Sequence, residues 1–483
     1  MSDFMPLVPT PPKLPLPEGT TVRVDDRATF IDRDLVSGGS PWRLLRLRGS
    51  SRAIVERWRL GAPVRAGEER FARTLVDQGF VHPQFDTALS RDDIDVIVPV
   101  LGNVSALSSI LVQLAGYQVV IVDDGSRESE AIAACAQEHG ASLQKVARNQ
   151  GPGHARNVGA SATSRKFLWF VDVDVSLDDA DRVARHLQAA FSDPLVAAVA
   201  PRVRGADGPS LRQHFEHHFG PLDMGAHSGL VVPESAIAYV PSACLMVRRD
   251  AFGDGFDESL RVGEDVDFVW RLHDRAWLVR YDASVEVAHP TRPTWLEWWR
   301  QRSRYGSSSA DLATRHGKRL APLRSDSWSL FAWISVLVGR PAIGARIVSG
   351  ARRHARDHFF QSEDNPEAVA DQVVTRNMVR AGGPLARATV RTFGVLLLLC
   401  ALHPRLRARA LGLFLLGSAW RWRHDQFHPT DVPFALADDL AYGTGVFRGA
   451  LRSKSLRTLT PDITKSTVGL REILGLPQGA KKA

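Results

Sequence analysis

Residues 149 to 174 gather the side chains best suited to chemistry. Asn149-Gln-Gly-Pro-Gly-His-Ala-Arg-Asn157 is a glycine-bearing loop that runs into a basic helix start, and the apolar run Phe167-Leu-Trp-Phe-Val171 ends in Asp172-Val-Asp174. A helix start turns backbone N–H groups toward phosphate, and Arg156 and Asn157 sit directly after the Gly151-Pro-Gly153 turn, where a guanidinium can join them. Carboxylates that close a buried strand can hold Mg2+ or Mn2+ against a diphosphate. Together these residues describe a site for a metal-bound sugar nucleotide, with Asp174 as a direct metal ligand and Asp172 accepting from a ribose hydroxyl or reaching the ion. Upstream, Val122-Asp-Asp-Gly-Ser126 places Asp123 or Asp124 where a carboxylate can accept from the ring N–H of a uracil.

Such groups need a scaffold that brings distant segments to one edge. From Asp93 the chain alternates strand and helix patterns: strands at Ile94–Val100, Gln118–Val122 and Ser142–Val146, helices at Val104–Leu114 and Glu128–His139. Strands spaced by helices imply an α/β fold with a mostly parallel sheet. Ligands of such sheets bind beyond the carboxyl ends of the strands, where Pro99, Val100, Asp123, Asp124 and Asp172 all fall.

The order Val-Ile-Val-Pro-Val, Val-Asp-Asp-Gly-Ser, Gly-Pro-Gly-His-Ala-Arg-Asn, Asp-Val-Asp resembles that of family 2 glycosyltransferases of the GT-A fold, over roughly residues 93 to 306. The resemblance implies that the Asn149–Asn157 segment shapes the donor pocket. Gly263-Glu-Asp-Val-Asp267 resembles the family's Glu-Asp motif, which implies Asp265 as general base of an inverting transfer and Glu264 as a sugar or acceptor contact. The plainer reading, an acidic helix start favoured by the dipole, stays open. His289 falls where many GT-A enzymes place a histidine on the metal, with a structural role as the alternative. Gln301-Arg-Ser-Arg-Tyr305 is similar to the Gln-x-x-Arg-Trp motif of processive synthases, which implies acceptor contacts from Gln301, Arg304 and Tyr305; tyrosine in place of tryptophan puts processivity in doubt. Cys244, in Pro241-Ser-Ala-Cys-Leu-Met246, is read as packing rather than as a nucleophile.

The flanks have their own character. Met1–Thr20 is Pro-rich and is expected to be a flexible lead-in. Residues 21 to 88 read as two strands, Thr21–Val24 and Ala28–Ile31, then helices at Pro41–Leu47 (Ser40 as N-cap), Ser51–Leu60 and Glu68–Gln78. This pattern resembles the PqqD-like, winged-helix-type α+β modules that recognise precursor peptides. The catalytic domain is expected over residues 93 to 323 and a basic helical region over 324 to 483. Residues 390 to 483 carry 14 Lys+Arg against 6 Asp+Glu, which equals the net +8 of all 483 residues. No nucleic-acid-binding pattern accompanies these charges, so an anionic membrane surface is the favoured partner, against a solvated basic face. The apolar runs Trp328–Val338, Phe393–Leu402 and Leu411–Trp420 each have about half the ~20 residues a membrane-spanning helix needs.

Three separated cysteines and the lack of a secretion-type start suggest a reducing cytoplasm, with the chain peripheral on the inner face of the cell membrane. The combination of parts is most similar to the glycosyltransferases of the mycofactocin system. That implies transfer of a hexose, glucose foremost, from a UDP-sugar to a peptide-derived redox cofactor or its oligosaccharide. Rival readings are a membrane-associated transferase for a cell-envelope glycan or lipid, and a non-catalytic precursor-peptide scaffold. A nicotinamide enzyme would want Gly-x-Gly-x-x-Gly after its first strand, and Pro99-Val-Leu-Gly102 does not supply it.

Overall fold

The computed structural model describes residues 13–464 apart from Arg33, Thr87, Ser362, Asp364 and Gln426. It opens with β1 (Thr21–Val24), β2 (Thr29–Phe30), β3 (Leu35–Gly38), β4 (Arg43–Arg46), α1 (Ser51–Arg59), α2 (Glu69–Asp77) and β5 (Val81–Gln84). β1 and β5 pair antiparallel, and β2, β3 and β4 form a meander. The helix expected over Pro41–Leu47 is absent. The Ser40–Pro41 peptide is cis, the Ser40 N–H donates to the Gln78 carbonyl at 2.8 Å, and Arg43–Arg46 pairs residue by residue with Leu35–Gly38. A short apolar run satisfies either period, and here an adjacent strand decided it. Nor is the whole lead-in loose: Leu16 is fully buried and its N–H donates to the Glu69 carbonyl, so it packs with Val22, Leu47, Trp58 and Leu75. Met1–Pro12 lies outside the described residues.

The main sheet holds β6 (Ile94–Val100), β7 (Gln118–Asp123), β8 (Ser142–Lys145), β9 (Phe167–Val171), β10 (Val196–Gly205), β11 (Gly229–Val231), β12 (Cys244–Arg248) and β13 (Leu278–His289), in the order β11-β13-β10-β12-β9-β6-β7-β8. β8, β7, β6 and β9 are mutually parallel, β10 and β13 are parallel to each other, and β12 runs antiparallel to both its neighbours. This is the mostly parallel α/β sheet expected. The helices are α3 (Val104–Gln113), α4 (Ser129–Glu138), α5 (Pro152–Ser161), α6 (Ala180–Ala190), α7 (Leu211–Phe219), α8 (Arg249–Phe252) and α9 (Glu264–Asp274). The central strands are apolar on both faces because both are covered. The front module is fastened to this sheet by Arg73, whose guanidinium grips the fully buried Asp193 carboxylate with two bonds of 2.9 and 3.0 Å.

The chain packs as two compact units: Asp34–Thr291 together with the segment up to Phe30, and the residues from Arg292 onward. The second contains α10 (Trp295–His316), α11 (Ser327–Leu337), α12 (Pro341–Phe359), α13 (Pro366–Arg387), α14 (Gly394–Ala401), α15 (Arg407–His424) and α16 (Val432–Ser453). α10 and α16 lie close because Gly306 and Gly445 offer no side chain; a Cβ on either would lie 2.0 Å from a carbonyl oxygen of the other helix. Among the described residues no single helix is long and apolar enough to cross a membrane, although Pro366–Thr392 and Gly394–Ala401, bent by 63°, pass together by length and composition.

Helix α5 must sit tightly on β6 to aim its N-terminus at the site. A Cβ on Gly159 would lie 2.4 Å from Ile97 Cγ2 and 3.1 Å from Val122 Cγ2, both on β-branched side chains with little freedom. We expect Gly159→Ala to cost ~1–3 kcal/mol in denaturant unfolding, as overpacked cores do. An unchanged midpoint would contradict this packing.

Candidate active site

The carboxyl ends of β6, β7 and β9 converge, and the loops that follow are tied to one another by carboxylates. Asp123 is buried and takes the Ser126 N–H at 2.8 Å, and the hydroxyls of Ser126 and Ser129 hold it below the ordinary aspartate range against the opposing effect of burial. Asp124, also buried, accepts from the N–H groups of Gln150 (2.8 Å) and Gly151 (2.9 Å) and so anchors the glycine loop to β7. Gly151 is needed there: its φ is +102°, and a Cβ would lie 2.9 Å from Arg261 Nη1. An ionised carboxylate has further acceptor sites beyond these bonds. Val100 is buried and its carbonyl accepts from the Asp124 N–H; Pro99 is half-buried beside it.

Two assignments made from the sequence are corrected. Arg156 does not present its guanidinium to a phosphate: it is 3% exposed, donating to Asp172 Oδ1 at 2.6 Å and to Glu264 Oε1 at 2.8 Å. It is a bracket between the end of β9 and the start of α9. Asn157 is likewise occupied, since its amide donates to the Phe256 carbonyl and to Glu258 and accepts from the Phe256 N–H. Both residue types suit phosphate, and only the fold revealed the carboxylates and loop that claim them.

Asp174 and His289 come together. The segment after β9 bridges to the end of β13 through Ser176 and Ala288, whose backbones exchange two hydrogen bonds. This puts His289 Nε2 3.4 Å from Asp174 Oδ1. His289 Nδ1 lies 3.1 Å from the Pro290 carbonyl, so a proton on Nδ1 leaves the Nε2 lone pair facing the carboxylate. A lone pair opposite a carboxylate favours a cation between them, and an oxygen and an imidazole nitrogen are both ligands that divalent cations take. Among the described residues no group of three or more His, Cys, Asp or Glu side chains gathers to hold an ion. Mg2+ and Mn2+ commonly complete their shells with substrate phosphate and water.

Asp265 sits on the first turn of α9, half-buried, with Oδ1 accepting from the Val266 N–H at 2.8 Å and Oδ2 from the Ser242 N–H at 3.4 Å. Burial pushes it above the ordinary aspartate range, and the Asp172 charge adds to that. Glu264 is raised as well, by burial and by the charge of Asp265. Trp270 holds the facing loop by donating to the Ala238 carbonyl at 2.7 Å. Cys244 is fully buried under Trp169, and burial pushes its thiol up to about 12, so it is packing and no nucleophile. Glu258 and Arg261, which clamp Asn157 and Asn149, escaped sequence analysis because no spacing marks them.

Gln301, Arg304 and Tyr305 lie in the second unit, on α10. Gln301 donates to the Tyr305 hydroxyl at 3.1 Å and Arg304 is exposed. The buried cation of this motif is Arg302, which donates to Asp438 at 2.6 Å and stacks over Trp298.

Residues 96–256 match the model of the family described as glycosyl transferase family 2. The chain is 34% identical over 472 residues to the pre-mycofactocin glycosyltransferase of Mycobacterium tuberculosis, covering 93% of this chain and 98% of that one. The chain belongs to glycosyltransferase family 2. Within the family it stands with the mycofactocin-system enzymes. The N-acetylglucosaminyl-diphospho-decaprenol L-rhamnosyltransferase of the same organism is 30% identical over 201 residues, 35% of this chain and 66% of that one. Among solved structures, a mannosyltransferase from Pyrobaculum calidifontis in complex with GDP-Man and Mn2+ is 14% identical, with a TM-score of 0.44, covering 76% of this chain and 91% of that one.

Removing the bracket leaves buried carboxylates without their cation. Arg156→Met is expected to cost on the order of 3–5 kcal/mol in denaturant unfolding, as breaking one side of a buried ionic group does. Glu264→Gln, which keeps the Asp172 partner, is expected to cost much less. Equal losses would contradict the bracket.

Proposed function

We propose that this glycosyltransferase moves a hexose, glucose foremost, from a UDP-sugar to a hydroxyl of a peptide-derived redox cofactor of the mycofactocin type or to its oligosaccharide chain, with inversion and with a divalent metal. The observation that carries the metal-dependent reading is the 3.4 Å approach of His289 to Asp174. A Mg2+ or Mn2+ held there would neutralise charge on the departing diphosphate. Asp123 or Asp124 would accept from the uracil through a remaining lone pair, beside Pro99 and Val100. The acceptor assignment follows the likeness to the pre-mycofactocin glycosyltransferase, and the donor assignment follows the resemblance of the motifs to family 2.

Asp265 takes the acceptor proton as the acceptor oxygen bonds to the anomeric carbon and the bond from that carbon to the diphosphate breaks. A carboxylate raised by burial is a stronger base than one in water, and its two backbone N–H contacts fix its direction. The front module, residues 21 to 88, would recognise a precursor peptide. Gln301, Arg304 and Tyr305 would contact acceptor, and the catalytic domain would run over residues 93 to 323.

UDP-glucose hydrolysis and transfer with and without Mn2+ test this reading. Asp174→Ala should lose metal-dependent donor binding, and Asp265→Asn should bind donor with near-native affinity yet transfer at least ~100-fold more slowly. Full transfer by Asp265→Asn would remove it as the base. Because the base works ionised and its pKa is raised from the ordinary 3.8, kcat/KM should fall on acidification at a pH above that value. A profile flat down to pH 4 would contradict the assignment.

The second unit supports a peripheral place on the inner face of the cell membrane. Leu399, Leu402, Leu406, Leu415, Leu416 and Trp422 are exposed, and Arg405, Arg407 and Arg409 are exposed beside them. Exposed leucines among arginines suit an anionic lipid surface. The native chain should float with phosphatidylglycerol vesicles at low salt, and Leu415→Asp with Arg407→Glu should abolish this; equal flotation would sink the idea. The same surface favours a second reading, transfer to a cell-envelope lipid, which a mass shift on lipid would reveal.

A further inference from the structure

The helical hairpin of α11 and α12 has one side fixed and one side bare. On the fixed side Leu330 packs with Leu323 and Ala388, and the Trp333 indole donates to the Met378 carbonyl at 2.9 Å. Gly344 lets the two helices close, since a Cβ there would lie 3.0 Å from the Ala332 carbonyl oxygen and 3.3 Å from Val336 Cγ2. On the bare side Phe331, Ile334 and Val338 recur at helical spacing, and with Val336, Leu337 and Ile343 they surround the Val338-Gly-Arg-Pro341 turn. All six are exposed, Val338 at 65%. Single apolar residues scattered over a surface are ordinary, but six gathered at one turn mark a contact surface.

Charge narrows the partner. Between Asp326 and Asp357 the chain carries five arginines, Arg340, Arg346, Arg352, Arg353 and Arg356, and no Asp, Glu or Lys. Arg340 and Arg346 are exposed and make no ion pair among the described residues. Arg340 stands in the turn itself, and Arg346 follows six residues later, ~9 Å along the helix at ~1.5 Å per residue. An apolar tip backed by unpaired cations at that distance fits the boundary between acyl chains and anionic headgroups, into which interfacial helices sink about 5–10 Å.

We propose that the α11–α12 turn enters the headgroup layer of an anionic phospholipid bilayer. The proposal rests on the peripheral membrane reading above and adds to it a second anchor, separate in sequence from the Leu399 to Trp422 surface. Leu337 and Val338 reach the acyl boundary, while the long side chains of Arg340 and Arg346 extend to lipid phosphates.

The test places an environment-sensitive NBD fluorophore on the full chain at Val338→Cys, in a Cys400→Ser background because Cys135 and Cys244 are buried. Vesicles containing phosphatidylglycerol should shift its emission to the blue and brighten it several-fold, and pure phosphatidylcholine vesicles should do so far less. The same label at Ser109→Cys, exposed on α3, should not respond. Leu337→Asp with Arg346→Glu should weaken vesicle binding at least ~10-fold and leave the unfolding midpoint where it is. Flotation of the native chain without a response at position 338 overturns the hairpin anchor and leaves the membrane reading standing; a native chain that does not float overturns both. A blue shift that needs no vesicles and grows with protein concentration assigns the turn to a second copy of the chain and overturns the proposal as well.

Discussion

The guanidinium of Arg156, buried between Asp172 and Glu264, joins the strand that leads to Asp174 and His289 to the helix that carries Asp265. Three carboxylates in so small a volume repel one another, and a fixed cation at their centre lets them share it. The surroundings depend on that arrangement. Asp172 is held at the mouth of β9, Asp174 follows two residues on, and α9 is drawn in close enough for Asp265 to meet the Ser242 N–H. Glycines at 151, 153 and 159 serve the same end, because helix α5 can bring Arg156 inward only if its first turns lie flush against Arg261, Phe256 and Ile97.

Raised carboxylates on α9 follow from this burial. Glu264 and Asp265 lie at a helix start, where the dipole would ordinarily favour their charge, yet desolvation prevails in both. Carboxylates with raised pKa values in a cleft mark a site that handles protons, and Asp265 keeps two backbone N–H donors that orient it without neutralising it.

Much of this was legible in the sequence. Apolar runs ending at Asp123 and Asp172 read as strands because burial on both faces leaves a continuous hydrophobic pattern, and the order of motifs carried the family. Less legible was which polar residue faces which. Arg156 and Asn157 suit phosphate by type, but their partners Glu264 and Glu258 lie more than a hundred residues away, a distance no local spacing encodes. Pro41–Leu47 failed for a related reason: its strand state depends on Leu35–Gly38 and the Gln78 carbonyl. In Gln301–Tyr305 the eye falls on Arg304, whereas the fold buries Arg302, because only the latter meets Asp438 across the α10 and α16 contact.

The central claim is that Asp265, positioned by this ionic frame, deprotonates the acceptor opposite the departing diphosphate. Its most direct test is the anomeric configuration of the first product, read by proton NMR during turnover of an α-linked UDP-sugar. A β-linked product is the predicted result; an α-linked product, formed with retention, would contradict the account.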